Sequence, residues 1–222
     1  MSAVSCDEDG VAAGSAEQVF GPRLPLCQRY AAMLAEHGVS RGLIGPREVG
    51  RLWQRHILNS AVVGELIPLD ATVVDVGSGA GLPGIPLAMS RPDLRITLLE
   101  SMARRVTWLS EVVAELDIDV RIVQGRAEEP EIRRQIGVAD VVTARAVAPL
   151  AKLAGWCLPL VRPGGLLVAL KGESAGDELA RDADLVRRAG GVEQSVVSCG
   201  ADVLAVPTTV ILVRRTKNGG DS

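Results

Sequence analysis

From residue 72 onward, short apolar runs alternate with longer stretches whose apolar positions recur at helical spacing. Apolar, β-branched runs at 72–76, 95–99, 120–124, 138–144 and 166–170 predict buried strands. Stretches at about 83–90, 102–116, 147–161 and 176–189 predict the helices between them. Such alternation implies right-handed crossovers and a mostly parallel α/β sheet. The end of the chain breaks the rhythm. Runs at 191–199 and 206–214 are strand-like with no helix between them, which predicts an antiparallel hairpin at the sheet edge. Upstream, 15–38 reads as helix interrupted around Gly21, Pro22 and Pro25. The stretch 46–66 predicts a further helix, with Pro46 at its start and Leu52, Ile57, Leu58, Val62 and Leu66 on an apolar side. The expected organisation is a disordered tail at 1–14, a helical cap at 15–66, an α/β core at 67–216 and a tail at 217–222.

The first strand carries the most informative punctuation. It contains one acid, Asp75, and runs into Gly77-Ser78-Gly79-Ala80-Gly81. Alternate glycines allow positive φ and let a ligand approach without meeting a Cβ. A helix beginning near Pro83 would aim its N-terminal amides at whatever sits on that turn. Strand, acid, glycine turn and helix together make a cradle for a nucleotide-type cofactor.

Composition narrows the setting. A hydrophobic content of 47% excludes a disordered chain, and no run of 18 apolar residues predicts a membrane span. The acidic start lacks the basic and apolar segments of a signal peptide. Cys6, Cys27, Cys157 and Cys199 are scattered, which reads as cytoplasmic thiols rather than a disulfide framework or zinc site. With two histidines, His37 and His56, no His-rich metal centre is expected. The net charge of −3 announces no nucleic-acid binder, so any basic surface must be local. Nearly all cations are arginine, which suits phosphate forks.

Two cofactors fit the glycine turn. Gly79-Ala80-Gly81-Leu82-Pro83-Gly84 matches a dinucleotide fingerprint, with Glu100 about twenty residues on as a ribose acid. That reading leads to an NAD(P)-dependent oxidoreductase. Asp75 ahead of the turn, Pro83 and Pro86 at the helix start and the terminal hairpin point elsewhere. Asp75-Val76-Gly77-Ser78-Gly79-Ala80-Gly81 resembles the first motif of Rossmann-like class I methyltransferases, and Arg162-Pro163-Gly164-Gly165-Leu166 resembles their turn into the fifth strand. More narrowly, Arg55-His56-Ile57-Leu58-Asn59-Ser60 is similar to motifs of the RsmG (GidB) family. So are Leu99-Glu100-Ser101 with Arg104 and Arg105, Arg126-Ala127-Glu128-Glu129, Arg145-Ala146-Val147-Ala148 and Leu170-Lys171-Gly172.

The resemblance spans about 25–214 and implies a mostly parallel seven-stranded sheet with an antiparallel C-terminal hairpin and an N-terminal helical extension. It implies S-adenosyl-L-methionine (SAM) as cofactor and N7 of a guanine in the 530 loop of 16S rRNA as acceptor. Carried over by residue, Asp75, Gly77, Gly79, Gly81, Leu82, Glu100, Ala127, Glu128 and Arg145 would bind SAM. Arg145 would face the transferred methyl. Asn59 and Glu100 stand where the family often has aspartate, and Trp108 where it often has phenylalanine.

Guanine N7 carries a lone pair and no proton, so the reaction needs alignment rather than a general base. An arginine donating to N7 would block it, which directs Arg145 toward SAM, O6 or a phosphate. Arg51 and Arg55 lie four apart with His56 beside them. With Arg104, Arg105 and Lys171 they are the expected RNA-binding set, and Lys171 joins Arg145 as a candidate catalytic residue at a strand end. The expected partner is 16S rRNA or the 30S subunit, with no membrane and no metal. Trp53, Trp108 and Trp156 read as core. Besides the oxidoreductase, a non-catalytic rRNA-binding assembly factor keeps the same fold without turnover.

Overall fold

In the computed structural model, which describes residues 14–217, seven strands form one sheet in the order β3-β2-β1-β4-β5-β7-β6. They are β1 (Thr72–Val76), β2 (Arg95–Glu100), β3 (Val120–Gln124), β4 (Ala139–Arg145), β5 (Val161–Lys171), β6 (Gly191–Cys199) and β7 (Thr208–Arg215). Strands β1 to β5 pair in parallel, and β7 lies antiparallel between β5 and β6. The expected tails fall mainly on residues 1–13 and 218–222, which lie outside the described residues.

The alternation of the apolar runs sorts side chains onto two faces. Val73, Ile96, Leu98, Val141 and Val168 join a core on one face. Val74, Val76, Leu99, Val142 and Leu167 join the other. The first face is covered by α1 (Ser15–Phe20), α2 (Leu24–His37), α3 (Asn59–Ala61), α4 (Gly84–Ser90) and α5 (Ala103–Leu116). Phe20, Tyr30, Leu34, Trp53 and Ile57 from the N-terminal helices share one core with Ile85, Leu98 and Trp108.

The second face is covered by α6 (Pro130–Ile136), α7 (Leu150–Cys157) and α8 (Ala175–Arg188). The sequence pattern predicts no helix between β3 and β4. Helix α6 has seven residues and buries a single apolar side chain, Ile132, so no amphipathic stripe advertises it.

Two departures shape the ligand side. The stretch 46–66 is not one regular helix. It runs as a 3₁₀ segment (Pro46–Arg51), a π-helical turn (Trp53–Leu58), α3 and a second 3₁₀ segment (Val62–Leu66). Strand β5 begins earlier than expected, because Arg162 to Gly165 form an irregularity within it. Ala139 pairs with Val161, and Val141 pairs next with Leu166. Between β1 and β4 the order of connection reverses, and crevices form there outside the carboxyl ends of the strands.

Candidate active site

Two cavities open at those strand ends. The smaller, of about 240 Å³, sits over β1, β2 and β3 and is lined by Gly77, Ser101, Ala127, Glu128, Val147 and Trp156 among others. The larger, a groove of about 850 Å³, lies between the ends of β4 and β5 and the 46–66 stretch.

The glycine turn forms the floor between β1 and α4. Gly77 and Ser78 donate backbone N–H bonds to the carbonyl of Leu99 at 2.8 and 3.2 Å, tying the turn to β2. Gly77 has φ 72°, and a Cβ there would lie 2.8 Å from Val147 Cγ2. Gly81 has φ 107°, and its Cβ would lie 2.4 Å from Ile85 Cδ1. Both positions demand glycine on conformation and on space.

Asp75, expected among the cofactor residues, lies under the turn rather than on the wall of the cleft. Its side chain is fully buried beneath the turn. One carboxylate oxygen accepts from Gly84 N at 3.1 Å and the other from Thr143 Oγ1 at 3.1 Å. Burial pushes its carboxyl up to about 6, although bonds from Ser78, Gly84 and Thr143 pull the other way. Asp75 therefore ties the start of α4 and the end of β4 to the turn. Leu82 packs into the core, and Gly79, Gly81, Leu82 and Glu100 do not line the cleft, whereas Gly77 does.

Glu100 closes the turn from the β2 side. Its Oε2 accepts from Gly79 N at 2.9 Å and its Oε1 from Met102 N at 2.9 Å. Arg105 lies across it at 3.8 Å. Arg105, expected in the RNA-binding set, lies beside Glu100 and lines neither cavity. Its Nε is buried with no hydrogen-bond partner among the described residues. Arg104 is exposed on the same helix and lines neither cavity. Ala127 and Glu128 face the cleft on the turn after β3, where Arg133 Nε from α6 grips the Ala127 carbonyl at 2.8 Å. Trp156 stands opposite, with Lys152 over its ring at 4.9 Å. Its sequence environment, an amphipathic helix, carries no signal for a place in the cleft.

The groove's chemistry is set by which cations are already engaged. Arg145 donates to the Arg55 carbonyl at 2.8 Å, the His56 carbonyl at 3.2 Å, Ser60 Oγ at 2.9 Å and His56 Nδ1 at 2.8 Å. Desolvation pushes its guanidinium pKa down from the usual arginine value. Arg145, expected near the transferred methyl, clamps the π-helical turn to the end of β4. Lys171 is also engaged. Its Nζ donates to Glu178 Oε1 at 2.9 Å and to the Ala148 carbonyl at 3.0 Å, so it braces the loop after β4 while lining the groove.

His56 is a linker rather than a surface histidine. Nδ1 accepts from Arg145, which leaves the proton on Nε2 to donate to Glu48 Oε2 at 2.7 Å. Burial and the Arg145 charge hold its pKa below the ordinary histidine value, so the ring is neutral. Arg51 and Arg55 line the groove, exposed and without an acid partner among the described residues. They are its available phosphate forks.

Loop 145–149 separates the cavities. Ala146 faces the groove and Val147 faces the cleft, although they are sequence neighbours. Ala146 takes φ 53°, a left-handed conformation a non-glycine residue rarely adopts. Among the described residues, no helix is long and apolar enough to cross a membrane.

Comparison with known proteins adds a family. A family model described as GidB, rRNA small subunit methyltransferase G, matches residues 23–206. "Ribosomal RNA small subunit methyltransferase G" of Rhodococcus jostii is 56% identical over 201 residues, covering 90% of this chain and 88% of the relative. The Mycobacterium leprae protein of the same name is 55% identical over 196 residues, covering 88% and 80%. Among solved structures, a putative S-adenosyl-L-methionine-dependent methyltransferase from Methanococcus maripaludis aligns with TM-score 0.57 at 17% identity, over 86% of this chain and 94% of that one. The TYW2 protein of M. jannaschii, solved in complex with AdoMet, aligns with TM-score 0.54 at 16% identity, over 73% and 76%. These structures are similar in fold.

Proposed function

The chain belongs to the GidB family of rRNA small subunit methyltransferases, and on that premise we propose that it transfers a methyl group from SAM to N7 of a guanine in the 530 loop of 16S rRNA. The observation that carries this reading is the pair of cavities divided by one short loop, a glycine-floored cleft on one side and an arginine-rimmed groove on the other.

The residues fit the cofactor. A Cβ at Gly77 would fill the cleft where it meets Val147, and Glu100 lies at the end of β2 as a ribose acid should. Arg105 Nε, buried without a partner beside Glu100, marks a polar arrangement that is incomplete in the free protein. In this reading Gly77, Gly79 and Gly81 support the amino-acid portion, Glu100 takes the ribose, and Ala127, Glu128 and Trp156 flank the adenine. When bound, SAM would supply an electrophilic methyl for the N7 lone pair, with sulfur as leaving group and the positive charge passing to the purine.

The chain's own task is orientation and exclusion of water. Arg145 contributes by fixing the wall between the cavities, and Lys171 by bracing the same loop from β5. Arg51 and Arg55 hold the RNA backbone, and the compartment of this activity is the cytoplasm. An NAD(P) reading loses support from β7, whose antiparallel insertion departs from the dinucleotide-binding order.

The direct test is transfer of labelled methyl from SAM to 30S subunits lacking the modification, with naked 16S rRNA in parallel and the methylated base mapped. Label at N7 of one guanine in the 530 loop is the expected result. SAM binding without transfer would leave a methyltransferase with another substrate. No binding at all would return the chain to the oxidoreductase or the assembly factor.

A further inference from the structure

The groove contains one feature that phosphate binding does not use. Among its lining residues are two acids, Glu48 and Glu173. Glu173 is exposed, and its side chain makes no hydrogen bond or ion pair among the described residues. Glu48 is different. Its side chain is 29% exposed, and Oε2 is anchored at 2.7 Å by His56 Nε2. His56 is itself oriented by Arg145, and Arg145 is fixed to Ser60 and to the carbonyls of Arg55 and His56. A carboxylate on a groove wall is thus positioned by a chain of bonds leading back to the loop beside the cofactor cleft.

That chain also fixes the charge. Because Arg145 donates to Nδ1, His56 is held as a neutral donor and does not cancel the carboxylate. The His56 bond and the nearby Arg55 and Arg51 charges keep Glu48 below the ordinary glutamate range, so it is ionised. A carboxylate accepts at about four lone-pair sites, and one bond from His56 leaves it able to receive more.

Among the bases, guanine presents N1–H and N2–H₂ side by side, a donor pair that matches a carboxylate in a bidentate contact. N7 lies on the neighbouring Hoogsteen edge, beyond O6, so an acid holding N1 and N2 leaves N7 free for the methyl. Resting on the functional reading above, we infer that Glu48 is the specificity residue that receives the Watson–Crick edge of the target guanine in the groove, with His56 and Arg145 as its positioning residues. The same negative charge favours the cationic purine that methylation produces.

The test uses 30S subunits with guanosine or inosine at the target position. Inosine keeps N7, O6 and N1–H and lacks the 2-amino group. Wild-type enzyme is expected to lose about tenfold in kcat/KM on inosine, the scale of one charge-assisted bond. Glu48→Gln still accepts from His56 but turns an amide donor toward the purine's donors. It is expected to lose about 10- to 100-fold on guanosine and to distinguish the two bases by less than about twofold, with SAM affinity unchanged. Glu48→Asp retains a carboxylate and is expected to retain the preference for guanosine at a lower rate, which keeps the assignment testable if the glutamine variant folds poorly. A wild-type enzyme indifferent to the 2-amino group, or a glutamine variant that keeps the wild-type ratio, overturns the role of Glu48 and leaves the methyltransferase intact. A wild-type enzyme inactive on both subunits overturns the functional reading and this assignment with it.

Discussion

The two cavities are built from different materials. The cleft over β1 rests on a turn made largely of backbone: Gly77, Gly79 and Gly81 take positive φ, and the N–H groups of Gly79 and Gly84 are held by Glu100 and Asp75. The groove is made of side chains, and its character depends on their pairing. Arg145 and Lys171 lie on its wall yet donate to protein groups, while Arg51 and Arg55 on the same wall are available. A site written in backbone conformation tolerates almost no substitution at its key positions. A site written in side-chain charge can lose one cation and keep much of its field.

The sharpest way to test this contrast is to damage the backbone site alone. Gly77→Asp adds a Cβ at 2.8 Å from Val147 and an unpaired acid in a cleft already lined by Glu128. SAM affinity is expected to fall by at least about 100-fold by calorimetry, the scale of burying an unpaired polar group, while RNA affinity stays within about twofold. Equal SAM affinity would remove Gly77 from the pocket. Parallel losses of both ligands would mean that the cavities are not separable.

Arg145 stands at the boundary between the two regions. Arg145→Ala removes four donated bonds and leaves the Arg55 and His56 carbonyls and Ser60 without that partner. Stability in denaturant is expected to drop by about 2–4 kcal/mol, and turnover to fall with it because Glu48 and the loop after β4 lose their anchor. A variant with full activity would show that the clamp is dispensable.

The groove's own charge is the next smaller effect. Arg51→Glu combined with Arg55→Glu is expected to weaken RNA binding about 10- to 100-fold at low salt and to reduce the slope of log K against log salt by about 1.5–2, with SAM binding unchanged. Filter binding across a salt series measures both. An unaltered slope would place the phosphate contacts elsewhere.

This difference in materials also explains what the sequence made legible. Alternate glycines, the strand rhythm and the terminal hairpin are local signals, and the observed sheet follows them. Helix α6 escaped because one buried Ile132 leaves no periodicity. Glu48 escaped for another reason. Residues eight positions apart rise about 12 Å along a regular α-helix, too far to bond. The segment instead changes from 3₁₀ to π winding around Leu52, with Glu48 and His56 bonded across it, and no pattern in the sequence announces that change. The engagement of Arg145 and Lys171 depends on partners up to 90 residues away, which spacing cannot express.

The smallest effect tests whether the N-terminal helices govern the backbone site from a distance. The Ala80 carbonyl, in the middle of the glycine turn, accepts from Tyr30 OH at 3.0 Å and from Trp108 Nε1 at 2.9 Å. Tyr30 comes from α2 and Trp108 from α5, so the turn is gripped from both the cap and the core. Tyr30→Phe keeps the buried ring and removes one donor, while Trp108 still satisfies the oxygen. The expected cost is about 0.5–1.5 kcal/mol of stability. If the cap helps to set the turn, SAM affinity falls about two- to threefold as well, since a differential of about 0.5 kcal/mol between turn conformations is enough to produce it. Loss of stability with unchanged SAM affinity would make Tyr30 an ordinary core residue. It would also mean that Trp108 alone holds the turn, and that the cap acts on the groove only.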